Sequence, residues 1–171
     1  GDDVSRLSAR PDVAVLAYPV VSAHNDSVGV IGAGVHTCSS YACVGRARRG
    51  QNRPLRHHGS MAVLLGQRLD TTIPRAAEVS LEDIAATRQT PPPPMFIWHT
   101  ASDEKVPCAN SERLASALLR RSFEAEAFIF TGDSLWHGLG LAFKMRGNHK
   151  VGNWTELCAT WLRKHLMGSR R

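Results

Sequence analysis

Acid and base side chains lie in the segments that follow two short apolar runs of this 171-residue chain. Asp103 comes after Met95 to Trp98, and His137 comes after Ala125 to Phe130. A carboxylate that accepts the proton on one imidazole nitrogen fixes the ring's tautomer, so the other nitrogen can take a proton from a hydroxyl nucleophile. Histidine's unperturbed pKa of about 6.5 suits a group that acts first as base and then as acid. The pair therefore predicts acid–base support of a nucleophile.

Three short apolar runs are the candidate strands that would position these loops. They are Val13 to Tyr18, Met95 to Trp98 and Ala125 to Phe130. Nearly continuous apolar runs are typical of parallel strands buried on both faces, although Glu126 places the third run nearer the sheet edge. Loops at the carboxyl ends of parallel strands gather at one rim. We therefore expect the side chains of Asp103 and His137 to meet within hydrogen-bonding distance.

Helical patterns lie between and after the candidate strands. Apolar residues recur at helical spacing over 110–121 and 154–165, with Asn110 and Asn153 as candidate N-caps, and weaker helix candidates cover 60–66 and 80–87. This alternation predicts an α/β fold with a mostly parallel sheet flanked by helices. A length of 171 residues allows one core, so 1–171 is interpreted as a single domain.

Residues 22–59 break the pattern with a segment rich in glycine, serine, histidine and arginine. A stretch of this length without a period is unusual in a compact domain, and it predicts an irregular basic insertion. Its glycines follow the order G-x-x-G-x-G, which is neither a dinucleotide fingerprint nor a P-loop. No aromatic residues interleave with its arginines, so the net charge of +6 favours a solvated loop over a nucleic-acid site.

Overall composition narrows the class of protein further. Hydrophobic residues make up 43% and charged residues 21%, as in soluble globular proteins. No run approaches the ~20 apolar residues of a membrane span. The four cysteines form no CxxC pair and no zinc-site interval with histidine, which favours reduced thiols and a cytoplasmic location. Six histidines are interpreted as surface groups, and His99 as packing beneath the acid loop. The six are His24, His36, His57, His58, His149 and His165.

Several separate motifs extend over about two thirds of the chain. They are LSARPD at 7–12 running into VAVLAYPVVS, PPPMFIWHTA at 92–101, DEKVP at 103–107 with Asn110-Ser111, HGLGLA at 137–142, and the helical WTELCATWL. Together they resemble the C-terminal half of α/β-hydrolases of the acetylxylan esterase-like or dienelactone hydrolase-like kind. In that family the D-x-x-V-P aspartate is the triad acid and the H-G-L-G histidine is the base. The resemblance implies these catalytic roles for Asp103 and His137, and Trp136 is a candidate for lining the substrate pocket.

The chain also departs from that family. Such enzymes carry a G-x-S-x-G nucleophile elbow and an oxyanion loop before the Arg-Pro-Asp motif, and neither occurs in these 171 residues. Ser5 and Ser8 lack flanking glycines, so no nucleophile is assigned in this chain. The segment from Phe130 to His137 is also about two residues longer than the resemblance implies, which could displace the histidine.

Three functions remain open on these grounds. The first is a carboxylic ester hydrolase fragment of the Ser-His-Asp type, which acts on a small-molecule or carbohydrate ester such as an acetyl ester of a sugar. It needs no metal or organic cofactor and is expected to be inactive as an isolated chain. The alternative is a non-catalytic α/β-hydrolase-like binding or scaffold module. The third is a basic nucleic-acid-binding domain. Without the family's preceding strands the sheet edge would be exposed, which predicts poor solubility or oligomers.

Overall fold

A three-stranded parallel sheet organises the computed structural model, which describes residues 8–24, 57–65, 76–101, 103–130, 137 and 153–167. The strands are β1 (Ala14–Ala17), β2 (Met95–Thr100) and β3 (Ala125–Phe130), in the spatial order β1-β2-β3. The helices are α1 (His58–Leu65), α2 (Ala76–Val79), α3 (Leu81–Thr87), α4 (Ala109–Arg120) and α5 (Trp154–Met167). All three predicted strands and the α/β fold class are confirmed.

The central strand β2 packs against helices on both of its faces. Because successive side chains of a strand point to opposite faces, Ile97 joins one cluster and Phe96 and Trp98 join another. The Ile97 cluster includes α4, through Leu114 and Leu118. The aromatic cluster includes α5. Its buried members are Phe96, Trp98, Cys158 and Trp161, and these four define what we call the aromatic cluster.

One edge strand of the described sheet, β1, is more exposed to solvent than the sequence predicts. Val15 in the middle of β1 is 41% exposed, so the prediction that this strand is buried on both faces is wrong. Among the described strands β1 has one neighbour, β2, and therefore one open edge. At the opposite edge the half-buried Glu126 of β3 accepts a hydrogen bond from Lys164 Nζ at 3.2 Å, which agrees with its predicted edge position.

Asn110 has a different role from the predicted helix cap. Helix α4 begins at Ala109 with Cys108 in the N-cap position, so Asn110 lies inside the first turn. Its fully buried Oδ1 accepts hydrogen bonds from the backbone N–H groups of Val21 and Ser22 at 3.1 and 3.0 Å, and its Nδ2 donates to the carbonyl of Pro107 at 3.1 Å. Asn110 thus joins the segment that leaves β1 to the segment that enters α4.

The structure also describes two of the cysteines and several of the histidines that the sequence analysis interprets. Cys108 is half-buried and Cys158 buried, and both are free thiols. His165 is predicted to be a surface group, but its side chain is only 10% exposed. The centroid of its ring lies 4.3 Å from that of the Trp161 ring. No helix in the described ranges is long and apolar enough to cross a membrane. Most of the basic insertion, 25–56, lies outside the described residues, as do His36, His58's side chain and His149.

Candidate active site

The loop after β2 holds the carboxylate of Asp103 rigidly. Its backbone N–H donates to the carbonyl of Thr100 at 3.2 Å, which closes a turn at the end of the strand. Its Oδ1 then accepts from the backbone N–H groups of Lys105 and Val106 at 2.8 and 2.9 Å. A short aspartate side chain that binds the backbone two or three residues ahead stabilises such a turn locally.

His137 lies against the other oxygen of this carboxylate. Its Nδ1 is 2.8 Å from Asp103 Oδ2, although the two residues are 34 positions apart. The extra length of the preceding loop therefore does not displace the histidine from the acid. The Asp103 side chain is 0% exposed, whereas the His137 side chain is 35% exposed. The acid is thus enclosed while the imidazole remains open on one side.

His99 lies beneath the acid loop, as the sequence indicates. Its fully buried ring contacts the Ser111 hydroxyl through Nδ1 at 2.7 Å and the Val106 carbonyl through Nε2 at 2.9 Å. Because a carbonyl can only accept, Nε2 carries a proton, and Nδ1 lies within hydrogen-bonding distance of the Ser111 hydroxyl. The same Nε2–H lies 3.4 Å from Asp103 Oδ2. His99 therefore gives the buried carboxylate a fixed polar neighbour.

The surroundings of Asp103 favour its ionised form. Burial by itself would raise the pKa of the Asp103 carboxyl, but hydrogen bonding from His99, the Val106 N–H, His137 and the Lys105 N–H outweighs it. Together they lower the pKa of Asp103 from 3.8 to about 2. An ionised carboxylate accepts the proton on His137 Nδ1 and leaves Nε2 as the nitrogen that can act as a base.

A pH dependence of stability follows from this pKa. Because the folded-state pKa of Asp103 is depressed, its contribution is present above pH 3.8 and is lost as the pH falls towards about 2. The depression corresponds to about 2 kcal/mol of unfolding free energy. Urea unfolding between pH 5 and pH 2 should show the wild-type protein losing this amount relative to Asp103→Asn. The exposed Asp12→Asn variant is the control. It retains Asp103 and should therefore lose stability as the wild-type protein does, so a loss as small as that of Asp103→Asn would contradict the assignment.

Tyr18 is a site residue that the sequence did not single out. Its ring centroid lies 4.9 Å from that of His137 in an edge-to-face arrangement, and 5.2 Å from that of the buried Trp98. The backbone of Tyr18 has a φ of 38°, a left-handed conformation that is costly for a bulky residue, and its N–H donates to the Trp98 carbonyl at 2.8 Å. Strained conformations of this kind cluster at functional sites. The available signal was its place at a strand end just before Pro19.

Two other predictions cannot be placed in this site. Trp136, the candidate pocket residue, and Ser5 lie outside the described residues. Ser8 is exposed, and its hydroxyl accepts a hydrogen bond from the Arg10 N–H at 3.1 Å. Within the described part of the chain, no hydroxyl or thiol is hydrogen-bonded to His137. The acid–base pair is therefore observed without a neighbouring nucleophile among those residues.

A second polar cluster lies at the start of α3. His24, Glu82 and Asp83 bring possible metal-ligand atoms within 4.8 Å of one another, and His24 Nε2 contacts Asp83 Oδ2 at 2.5 Å. The interpretation of His24 as a simple surface group is thus wrong, because its side chain is only 28% exposed and is hydrogen-bonded to Asp83. Burial raises the pKa of the Glu82 carboxyl, and Asp83 adds to this, while Ser22 and His24 partly oppose it.

Comparisons with known proteins show that the fold of this chain is similar to parts of hydrolases. No family model and no curated protein sequence matches the chain. Among solved structures, an acetyl ester-xyloside bifunctional hydrolase from Caldicellulosiruptor lactoaceticus is 31% identical, with a TM-score of 0.63 over 95% of this chain and 46% of its own. A sugar hydrolase from Lactococcus lactis is 23% identical, with a TM-score of 0.54 over 93% and 50%. An esterase from Thermogutta terrifontis is 18% identical, with a TM-score of 0.52 over 94% and 44%. The chain spans about half the length of each.

Proposed function

Because this chain belongs to the α/β-hydrolase superfamily and has the fold of about half of an esterase-like hydrolase, we propose that it supplies the acid and the base of a carboxylic ester hydrolase of the Ser-His-Asp type. The observation that carries the proposal is the 2.8 Å contact between the enclosed Asp103 carboxylate and the partly open His137 ring. A buried acid paired with an accessible imidazole is the arrangement that general-base activation of a hydroxyl requires.

The proposed mechanism gives each of these groups one task. His137 Nε2 takes the proton of a serine hydroxyl as its oxygen attacks the ester carbonyl carbon. The imidazolium so formed is stabilised by ionised Asp103, and it then protonates the departing alcohol oxygen. Water, deprotonated by the same nitrogen, attacks the acyl-serine, and the imidazolium returns this proton to the serine oxygen as the acyl–oxygen bond breaks and the carboxylic acid leaves. Asp103 keeps its negative charge throughout, as its low pKa favours.

The serine of this proposal has to come from outside the 171 residues, because no G-x-S-x-G occurs among them. The order of acid followed by histidine is that of the second half of an α/β-hydrolase. We therefore treat 1–171 as one partial domain, with the basic segment 22–59 as an insertion, and expect the chain alone to hydrolyse almost no ester. Trp136, next to His137, is proposed to line the substrate pocket.

The proposed substrate class is an acetyl ester carried by a sugar. The support is the similarity, at 31% identity over 95% of the chain, to a hydrolase that is named for acetyl ester and xyloside hydrolysis. The described residues provide neutral aromatic surface at the site through Tyr18, whose ring contacts His137. Such a surface is suited to an uncharged ester. We expect acetylated xylo-oligosaccharides to be deacetylated once the serine is supplied to this chain, and not by the chain alone.

A hybrid protein tests the proposal directly. It joins residues 1–171 to the part of the Caldicellulosiruptor hydrolase that this chain does not match, and we call this protein the hybrid. The hybrid is expected to hydrolyse p-nitrophenyl acetate and to release acetate from acetylated xylan, whereas the 171-residue chain alone does neither. A single cooperative unfolding transition serves as the folding control.

Three outcomes would count against this proposal. A folded hybrid that hydrolyses neither ester would favour the non-catalytic scaffold, for which the lack of a serine elbow in the sequence is the supporting observation. Rapid ester hydrolysis by the isolated chain, abolished by His137→Ala, would instead show that the nucleophile lies within these residues. DNA binding with a steep dependence on salt would support the third function.

A further inference from the structure

The second polar cluster brings three side chains of unlike chemistry to one place. His24 ends the segment that leaves β1, while Glu82 and Asp83 lie in the first turn of α3. Each offers one donor atom, and all three atoms lie within 4.8 Å of one another. None of these residues belongs to the Asp103–His137 pair, so the cluster has no task in the proposed ester hydrolysis.

The buried carboxylate of Glu82 shows that this cluster is incomplete. Glu82 is 8% exposed, and neither of its side-chain oxygens has a hydrogen-bond partner of acceptable geometry. Buried carboxylates are normally paired, hydrogen-bonded or bound to a metal, because an isolated buried charge is strongly disfavoured. The imidazole that could satisfy it is directed to Asp83 instead, at 2.5 Å. Ser22 and the Glu82 backbone N–H lie near enough to oppose the rise in the pKa of Glu82, but neither makes a hydrogen bond of acceptable geometry to it, and one Glu82 oxygen lies within the cluster.

The backbone around the cluster is already held in position. The Ala23 N–H donates to Ser80 Oγ at 2.9 Å, and the Leu81 N–H donates to the Val21 carbonyl at 2.9 Å. Ser80 Oγ in turn donates to the Ala76 carbonyl at 2.7 Å. These bonds join the residues just before His24 to those just before Glu82. The donor atoms are thus brought together by a fixed frame and need to adjust only through their side chains.

We propose that His24, Glu82 and Asp83 form a binding site for one divalent transition-metal cation, Zn²⁺ or Mn²⁺. One imidazole nitrogen with two carboxylates is a donor set that suits these ions. Ligand atoms at about 2.1 Å from an ion lie no more than about 4.2 Å apart, so a small rotation closes the 4.8 Å cluster. The ion enters between His24 Nε2 and Asp83 Oδ2 and releases any proton shared there.

Such an ion would connect the segment leaving β1 to α3. The side chains of His24 and Asp83 are 28% and 37% exposed, so solvent reaches the cluster and water can complete the coordination. Glu82, by contrast, would be enclosed on the protein side of the ion. The role of the metal would be structural, since it replaces a missing partner for a buried charge and fixes residue 24 against the helix.

Equilibrium dialysis of the full 171-residue chain against Zn²⁺, with metal analysis, tests the site. The wild-type chain is expected to bind one more equivalent of Zn²⁺ than Glu82→Gln or His24→Gln does. In each variant the affinity for this equivalent should fall roughly tenfold or more. The matched control is His165→Gln, which removes a histidine whose Nδ1 is 3.9 Å from Glu124 Oε2. It should retain the wild-type stoichiometry.

Thermal unfolding separates metal binding from a folding defect. Without metal, Glu82→Gln should unfold at the wild-type temperature or above it, because a neutral amide replaces an unpaired buried charge. Added Zn²⁺ should raise the melting temperature of the wild-type and His165→Gln proteins and leave that of Glu82→Gln unchanged. If Glu82→Gln fails to fold, His24→Gln supplies the same comparison. Equal Zn²⁺ binding by the cluster variants and the control, or no binding by the wild-type chain, would overturn the proposal.

Discussion

In the hybrid, replacing Asp103 by asparagine is expected to lower kcat for p-nitrophenyl acetate by roughly 10⁴-fold, with KM little changed. The amide preserves the shape of the side chain but removes its charge. It can also present an N–H to His137 Nδ1, which stabilises the tautomer that carries its proton on Nε2. That tautomer cannot accept the serine proton. The loss therefore falls on the chemical step rather than on substrate binding.

The neighbouring acid offers a matched control for this result. Glu104 is exposed and adjacent in sequence, and Glu104→Gln removes the same charge without altering the contact to His137. It should retain kcat within about twofold, as expected for a screened surface charge. His137→Ala should remove activity as fully as Asp103→Asn does, or more so. Similar losses in Asp103→Asn and Glu104→Gln would show that a general charge effect, and not the triad geometry, is responsible.

Replacing Asn110 by alanine is expected to lower the free energy of unfolding by about 3 kcal/mol. The substitution leaves the buried N–H groups of Val21 and Ser22 without their acceptor, and the Pro107 carbonyl loses a donor. Each buried polar group without a partner costs about 1–3 kcal/mol, and relaxation at a site of this kind keeps the total below the simple sum. Urea unfolding at neutral pH measures the difference.

An exposed amide provides the comparison for Asn110. Gln89 lies at the surface, and Gln89→Ala should change the unfolding free energy by less than about 0.5 kcal/mol. Equal effects in the two variants would contradict a structural role for Asn110. In the hybrid, Asn110→Ala should also reduce kcat, because Pro107 belongs to the loop that begins with Asp103. This second measurement tests whether the bond supports the position of the acid.

The strands of this protein follow from local patterns of residues. β2 and β3 occur where short, mostly apolar runs are flanked by prolines or turn residues, and α5 follows a helical spacing that its sequence displays clearly. Such patterns suffice because a strand or an amphipathic helix is selected largely by side chains a few positions apart. The order of Asp103 and His137 after successive strands was likewise sufficient to predict that the two would meet. Their catalytic roles remain a proposal.

Contacts between distant parts of the chain required the tertiary structure. A contact of 2.8 Å between residues 34 positions apart depends on how β2 and β3 pair in register, and the length of the intervening loop gave a misleading indication. The same holds for Asn110. Its residue type and its place at the start of a helical pattern suggested a cap, but its partners lie 88 and 89 positions away. Hydrogen bonds of this kind depend on direction and on exclusion of water, and neither is encoded in local spacing.

A tyrosine at a strand end and a buried glutamate show most clearly which contacts only the tertiary structure decides. A tyrosine before a proline indicates a turn, yet only packing brings its ring within 4.9 Å of the His137 ring. A glutamate at the start of a helix is ordinarily a solvated group, and only the fold encloses Glu82 beside His24 and Asp83. Local sequence thus determined which segments become strands and helices and where acid and base residues occur along them. The free energy of burying polar groups, which depends on every neighbouring segment at once, determined which of those residues act together.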